Sequence, residues 1–190
     1  MSVLDLECWE SVYYYQNYCI NGSDKLYLGK YGIKNYLVYI YFRLPPDLFI
    51  EKVKETRLVL FKVPVSNYEQ CHFDNMKKAQ YCVSPLLVFF STIGCCHLEN
   101  KIDLGKSVYY EDYPYSTYNE IDITVIMQAW IREKIENKGL LLAGIDGAGV
   151  ISYGSDSYEI KVMRPLIRIT YEDNHIIQPM KEVPCIVEVL

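Results

Sequence analysis

The sequence predicts an all-β fold, a β-sandwich or jelly roll with one short helix, at about residues 125–135, capping the core. Three observations carry this reading. Short apolar or alternating stretches recur along the chain, roughly ten or more of them. Each is punctuated by Gly, Pro, Asn or Ser, the spacing of strands joined by tight turns. A single segment, Asn119 to Leu142, reads strand, helix, strand, and only its middle, about residues 125–135, shows the 3.6-residue period of a helix. Tyrosine supplies 19 of the 190 residues, and an apolar ring with a polar tip suits half-buried sheet faces.

In chain order, Ser11 to Ile20, SVYYYQNYCI, reads as one aromatic strand ended by Asn21-Gly22-Ser23. Alternation sends Tyr13 and Tyr15 to one face and Tyr14 to the other. Lys25 to Leu28 is a short second strand. Asn35 to Arg43, NYLVYIYFR, is apolar on both faces, the mark of a central strand, and Pro45-Pro46 ends it. Lys54 to Val63 sets Arg57, Val59, Phe61 and Val63 on one face against Leu58 and Leu60 on the other. Pro64 closes that strand. The polar stretch Ser66 to Gln80 reads as an excursion with room for a turn of helix. Tyr81 to Val83, Leu86 to Ser91 and Ser107 to Tyr110 are strands, parted by Ser84-Pro85 and the Gly94-Cys95-Cys96 corner.

The loop Glu111 to Tyr118, EDYPYSTY, leads into the strand Glu120 to Ile123 and then the helix. Thr124 is placed to cap that helix with its hydroxyl. Ile126 and Trp130 lie one turn apart, with Met127, Ile131 and Ile135 on the adjoining row, so one face is apolar and Trp130 plugs the core. Arg132 and Lys134 stand where cations favour the helix dipole, and Asn137-Lys138-Gly139 supplies the stop. Leu140 to Ala143 then leads into a Gly-rich hairpin, Gly144 to Gly149, that returns as Val150 to Tyr153. Leu166 to Tyr171 follows, and Pro179 and Pro184 bracket a tail in which Cys185 to Leu190 alternates.

A chain with 51% hydrophobic and 23% charged residues can bury a full core as one domain. The expected organisation is a single sandwich over 1–190, with 1–20 and 180–190 as strand-like terminal extensions. A net charge of −5, with no cluster of Lys and Arg, argues against nucleic acid. MSVLDLECWE carries three acids and no Lys or Arg, so it lacks the basic start of a secretory signal. No run reaches membrane-spanning length. The seven cysteines, Cys8, Cys19, Cys71, Cys82, Cys95, Cys96 and Cys185, are an odd count. In an oxidising setting one thiol is left over or pairs between chains; in a reducing one they are small buried hydrophobes.

From Leu26 to Tyr171 the order of features resembles the DNRLRE family of bacterial β-sandwich domains, which includes carbohydrate-binding modules. The residues that carry the likeness are YLGKYGIKNYLVYIYFRLP at Tyr27 to Pro45, ETRLVLFKV at Glu55 to Val63 and IDITVIMQAWI at Ile121 to Ile131. NKGLLLAG at Asn137 to Gly144, YGSDS at Tyr153 to Ser157 and RPLIRITY at Arg164 to Tyr171 complete it. The DNRLRE string itself is absent, and the cysteines and both terminal segments have no counterpart. The likeness implies a sandwich with Asp122, Thr124, Trp130, Gly139, Arg164, Pro165 and Tyr171 as its structural positions. Function stays open, because these domains are appended to extracellular proteins of diverse roles. Arg164, beside Pro165, is expected to pair with a carboxylate or carbonyls near the helix, Asp122 first among them.

HExxH, GxSxG, P-loop and GxGxxG patterns are all missing, and Glu111-Asp112 shows no partner, so no enzyme and no cofactor are expected. Cys71-His72, Cys82 and Cys95-Cys96-His97 lack a CxxC pair, and Asp146 in IDGAG is first a hairpin signal, so no metal is assigned. Tyr113, Tyr115 and Tyr118 could stack on sugar rings or seal a sandwich end. The expectation is a non-catalytic structural protein of a cell or spore surface, outside the cell without a recognisable signal peptide. It would self-associate into a filament, appendage or coat, with Cys8, Cys19 and Cys185 as intersubunit disulfide candidates. A terminal strand would then cover a neighbour's sheet edge, unless both termini fold back onto their own sandwich. The alternative is a carbohydrate-binding module with a polysaccharide partner.

Overall fold

Leu58 and Leu60 face one side of their strand while Arg57 and Glu55 face the other, and that alternation builds a two-layer molecule. The computed structural model describes residues 1–15, 18–46, 48, 53–64, 79–89, 101–113, 115–145 and 149–172. The strands are β1 Ser2–Glu7, β2 Glu10–Tyr15, β3 Tyr18–Ile20, β4 Lys25–Tyr31, β5 Lys34–Tyr41, β6 Val53–Phe61 and β7 Ala79–Pro85. They continue with β8 Val108–Asp112, β9 Tyr118–Asp122, β10 Leu140–Gly144, β11 Ile151–Gly154 and β12 Leu166–Tyr171; the helix α1 is Thr124–Ile131. The small antiparallel sheet runs β1-β12-β6-β9, and the large one β11-β4-β5-β10-β7-β8, with β2 pairing β5 and β3.

The core lies between the sheets. Leu58, Leu60, Ile121, Ile167 and Ile169 of the small sheet meet Leu26, Leu28, Val38, Ile40, Leu140 and Leu142 of the large one, and Ile126, Met127 and Trp130 of α1 join them. The opposite faces of β5 and β10 are covered too: Val12, Tyr39 and Leu141 pack with Leu86 in a second cluster. The doubly apolar pattern of Asn35 to Arg43 thus marks a central strand buried on both sides.

Three strand expectations are corrected. Ser11 to Ile20 is a hairpin rather than one strand: Tyr15 pairs with Tyr18, and tyrosine alternation in both arms hides the reversal. Gly144 to Gly149 does not join a hairpin. Both edges of β10 are taken by β5 and β7, so β11 pairs with β4 instead. Residues 86–89 form no strand; Leu86 bridges to Ile102, and Leu87 N–H donates to the Lys101 carbonyl, laying this stretch over the large sheet.

The helix differs at both ends. Ile123 occupies the N-cap, and Asp122 Oδ1 accepts from Thr124 N–H at 2.9 Å. Thr124 Oγ1 instead accepts from Thr56 N–H at 2.9 Å and ties α1 to β6. The helix stops at Ile131, short of Asn137. Glu133, at φ 53, turns left-handed, and the N–H groups of Glu133 and Lys134 donate to the carbonyls of Trp130 and Ala129. That is the Schellman arrangement, which usually places glycine at this position. Gly139, at φ 95, then sets up β10; a Cβ there would stand 2.6 Å from Tyr39 Cε2 and 2.9 Å from the Ile40 carbonyl oxygen.

The N-terminal extension is built into the fold. β1 pairs antiparallel with β12 along its whole length, from Ser2 opposite Tyr171 to Glu7 opposite Leu166, and β2 pairs with β5. The fold-back alternative describes residues 1–15 and 18–20. Of the excursion Ser66 to Gln80, Ala79 and Gln80 already belong to β7, while its residues 66–78, the Gly94-Cys95-Cys96 corner, Asp146 and the tail 180–190 lie outside the described residues.

Candidate functional site

β8 belongs to the large sheet and β9 to the small one, so the connection 113–117 spans the two layers at one end of the sandwich. Lys62, just beyond β6, holds it there. Its N–H donates to the Thr117 carbonyl at 2.8 Å, and its ammonium donates to the Tyr113 carbonyl at 2.6 Å. Ser116 N–H donates to the Tyr113 carbonyl at 3.0 Å, tightening the turn. The rings stand outside: Tyr115 is 91% exposed, Tyr113 51% and Tyr118 45%. Tyr113 donates to Glu111 Oε2 at 3.1 Å, and Tyr118 lies tilted against Phe61 with ring centroids 5.9 Å apart.

Directly beneath that loop lies a polar network inside the sandwich. Lys62 Nζ sits 2.6 Å from Asp112 Oδ1. Asn119 Nδ2 donates to the same Oδ1 at 2.8 Å and to the Tyr153 hydroxyl at 2.7 Å. Tyr153 and Tyr110 share a hydrogen bond at 3.3 Å, Tyr110 stacks on Tyr81, and Tyr81 donates to the Gly149 carbonyl at 2.7 Å. Asp112 and Asn119 are buried. Burial pushes the Tyr110 and Tyr153 phenols well above the ordinary tyrosine value, so both are neutral donors and acceptors at physiological pH.

Sequence reasoning missed this network, although a signal was present. Lys62 shares a strand face with Leu58 and Leu60, and Asn119 shares one with Ile121; a charged and an amide side chain therefore stand at inward positions. Glu111-Asp112, read as adjacent acids without a partner, divides between the faces of β8. Asp112 turns inward to Lys62 and Asn119.

The other expected positions are dispersed. Trp130 is buried at 5% exposure, and its Nε1 has no partner among the described residues. Arg164 does not reach Asp122; its Nε donates to the Tyr158 carbonyl at 2.8 Å. Register explains the difference, because Asp122 is opposite Arg57, which is opposite Arg168, four residues further along the strand. Pro165 is buried, its carbonyl accepting from Cys8 N–H at 3.1 Å, and Tyr171 pairs with Ser2 and Val53.

Among the disulfide candidates, Cys8 and Cys19 are free thiols, and Cys185 lies outside the described residues. Burial, and next the Asp156 charge, push the Cys8 thiol up, and its Sγ is held by the Glu10 carbonyl at 3.3 Å. That setting suppresses the thiolate a disulfide exchange needs. Cys19 is exposed on β3. Cys82 is half-buried, whereas Cys71, His72, Cys95, Cys96 and His97 lie outside the described residues. Among the described residues no helix is long and apolar enough to cross a membrane.

Compared with known proteins, the chain matches no family model and no curated relative.

Proposed function

We propose that the chain is a non-catalytic, DNRLRE-like surface domain that recognises a polysaccharide through Tyr113, Tyr115 and Tyr118. The exposure of these three rings at one sandwich end, on a loop whose backbone Lys62 anchors, is the observation that carries it. Sugar C–H faces pack on aromatic rings, and a loop anchored before binding loses less entropy on binding. The setting we infer for such a domain is a cell or spore surface, where structural polysaccharides are displayed. In the test, purified protein is pulled down on a broad panel of polysaccharides. Tyr113→Ala and Tyr115→Ala should lose retention while thermal stability stays nearly unchanged, since exposed substitutions typically shift stability by only about 0.5 kcal/mol. Wild-type protein retained by no polysaccharide in the panel overturns the reading.

A second reading, self-association into a filament or coat, draws on the exposed Cys19 thiol. The edges of the small sheet oppose it. β1 carries Asp5 and Glu7, and β9 carries Glu120 and Asp122, so pairing either edge with its own copy would bring carboxylates together. An oxidised dimer that disappears in Cys19→Ser, seen by sedimentation velocity, would support assembly; a monomer under oxidising conditions at high concentration would end it.

A further inference from the structure

We propose that Lys62 and Asn119 are the two ends of an intramolecular cross-link: a side-chain amide between Lys62 Nζ and Asn119 Cγ, formed in the folded chain with Asp112 as proton carrier. The geometry meets three requirements. An amine and a carboxamide must share a face of neighbouring strands, and they do. Leu60 is opposite Asn119, the β6–β9 ladder continues as Lys62 N–H to the Thr117 carbonyl, and Lys62 is therefore the diagonal neighbour of Asn119 on the inward side. A proton carrier must touch both nitrogens. Asp112 Oδ1, contributed by the opposite sheet, lies 2.6 Å from Lys62 Nζ and 2.8 Å from Asn119 Nδ2. Water must be scarce, and the Lys62 and Asp112 side chains are 16% and 4% exposed.

Here the same carboxylate oxygen also receives a carboxamide whose Nδ2 is held from a second direction by the Tyr153 hydroxyl. In the reaction, Asp112 takes a proton from Nζ, and the neutral amine attacks Asn119 Cγ. The new N–C bond forms as the bond from Cγ to Nδ2 breaks; Asp112 passes its proton to the leaving nitrogen, takes the second proton from the attacking nitrogen and hands that on to the departing ammonia, so ammonium leaves and Asp112 ends as carboxylate. Amine plus primary amide gives secondary amide plus ammonia, with no redox change and no co-reactant. Holding the groups in one place converts a reaction that is negligible between free side chains into an intramolecular one.

Intact-mass spectrometry of the denatured full chain tests this. The expected mass is that of the sequence less one ammonia, and proteolysis should yield a branched peptide joining the segments that contain Lys62 and Asn119, with no tryptic cleavage after Lys62. Succinimide formation at Asn21-Gly22 also expels ammonia, so the branched peptide is the decisive species. Lys62→Arg and Asp112→Ala should each restore the full mass, whether or not the variant reaches full stability. Wild-type protein with the unaltered sequence mass after prolonged incubation of the folded chain overturns the proposal. So does a loss of water with Lys62 joined to Asp112, or an ammonia loss in the wild type with no branched peptide joining the segments that contain Lys62 and Asn119.

Discussion

The two flanks of the β6–β9 pair are built on opposite physical terms. Beyond β9, where α1 begins, the interior is dry. Ile123, Ile126, Met127 and Trp130 pack on the small sheet, and Trp130 Nε1 is left without a partner among the described residues. At the other end of the same strands, Lys62, Asp112, Asn119, Tyr110 and Tyr153 form a connected polar network in which those five side chains are all partnered. The first flank is stabilised by volume and area removed from water, so its losses are graded. The second depends on individual atoms, because in a low-dielectric interior an orphaned polar group costs its full desolvation.

The largest expected effect tests the dry flank. Trp130→Ala should lower stability by about 3–5 kcal/mol, the range for deleting a large buried aromatic. Because the indole N–H makes no hydrogen bond, Trp130→Phe should recover most of that loss. Denaturant unfolding measures both, and a cost under about 1 kcal/mol for alanine would place Trp130 outside the packed core.

A smaller effect sharpens the contrast at the polar flank. Tyr153→Phe removes one oxygen and no ring volume, yet it takes an acceptor from Asn119 and a partner from Tyr110. The expected cost is about 1–2 kcal/mol, the penalty for orphaning buried polar atoms. A thermal melt that shows Tyr153→Phe to be neutral would mean that both flanks obey the same rule.

The smallest effect has the opposite sign. Glu133→Gly should stabilise by about 0.5–1 kcal/mol, since glycine takes the left-handed conformation at the helix end without the Cβ clash. Glu133 is exposed, and among the described residues its side chain makes no hydrogen bond or ion pair that the change would remove. A lower midpoint in urea for this variant would show that the turn is fixed by something other than the Schellman bonds.

Particular residues show how far the sequence was legible. Leu58 and Leu60 alternate with Arg57 and Val59, and that alone identifies a core strand and its inward face. The doubly apolar Asn35 to Arg43 identifies a centre. Trp130 announced its burial through helical spacing from Ile126. At the candidate site, the exposed Tyr113, Tyr115 and Tyr118 were legible as aromatics in a Pro-bearing loop. The polar network under them was not, since Lys62, Asp112, Asn119 and Tyr153 come from four strands or strand ends spread along the chain.

The sequence by itself determined what is local: strand and helix periodicity, which face of each element is apolar, and hence an all-β sandwich with one helix. Only the tertiary structure decided what pairs with what. β10 and β11 part company, Ser11 to Ile20 doubles back, Arg164 falls out of register with Asp122, and β1 returns to β12. The reason is that side-chain alternation repeats every two residues along any strand, so it names a face without naming a neighbour. Neighbours are chosen by which edges remain free once the sheets close over a shared core.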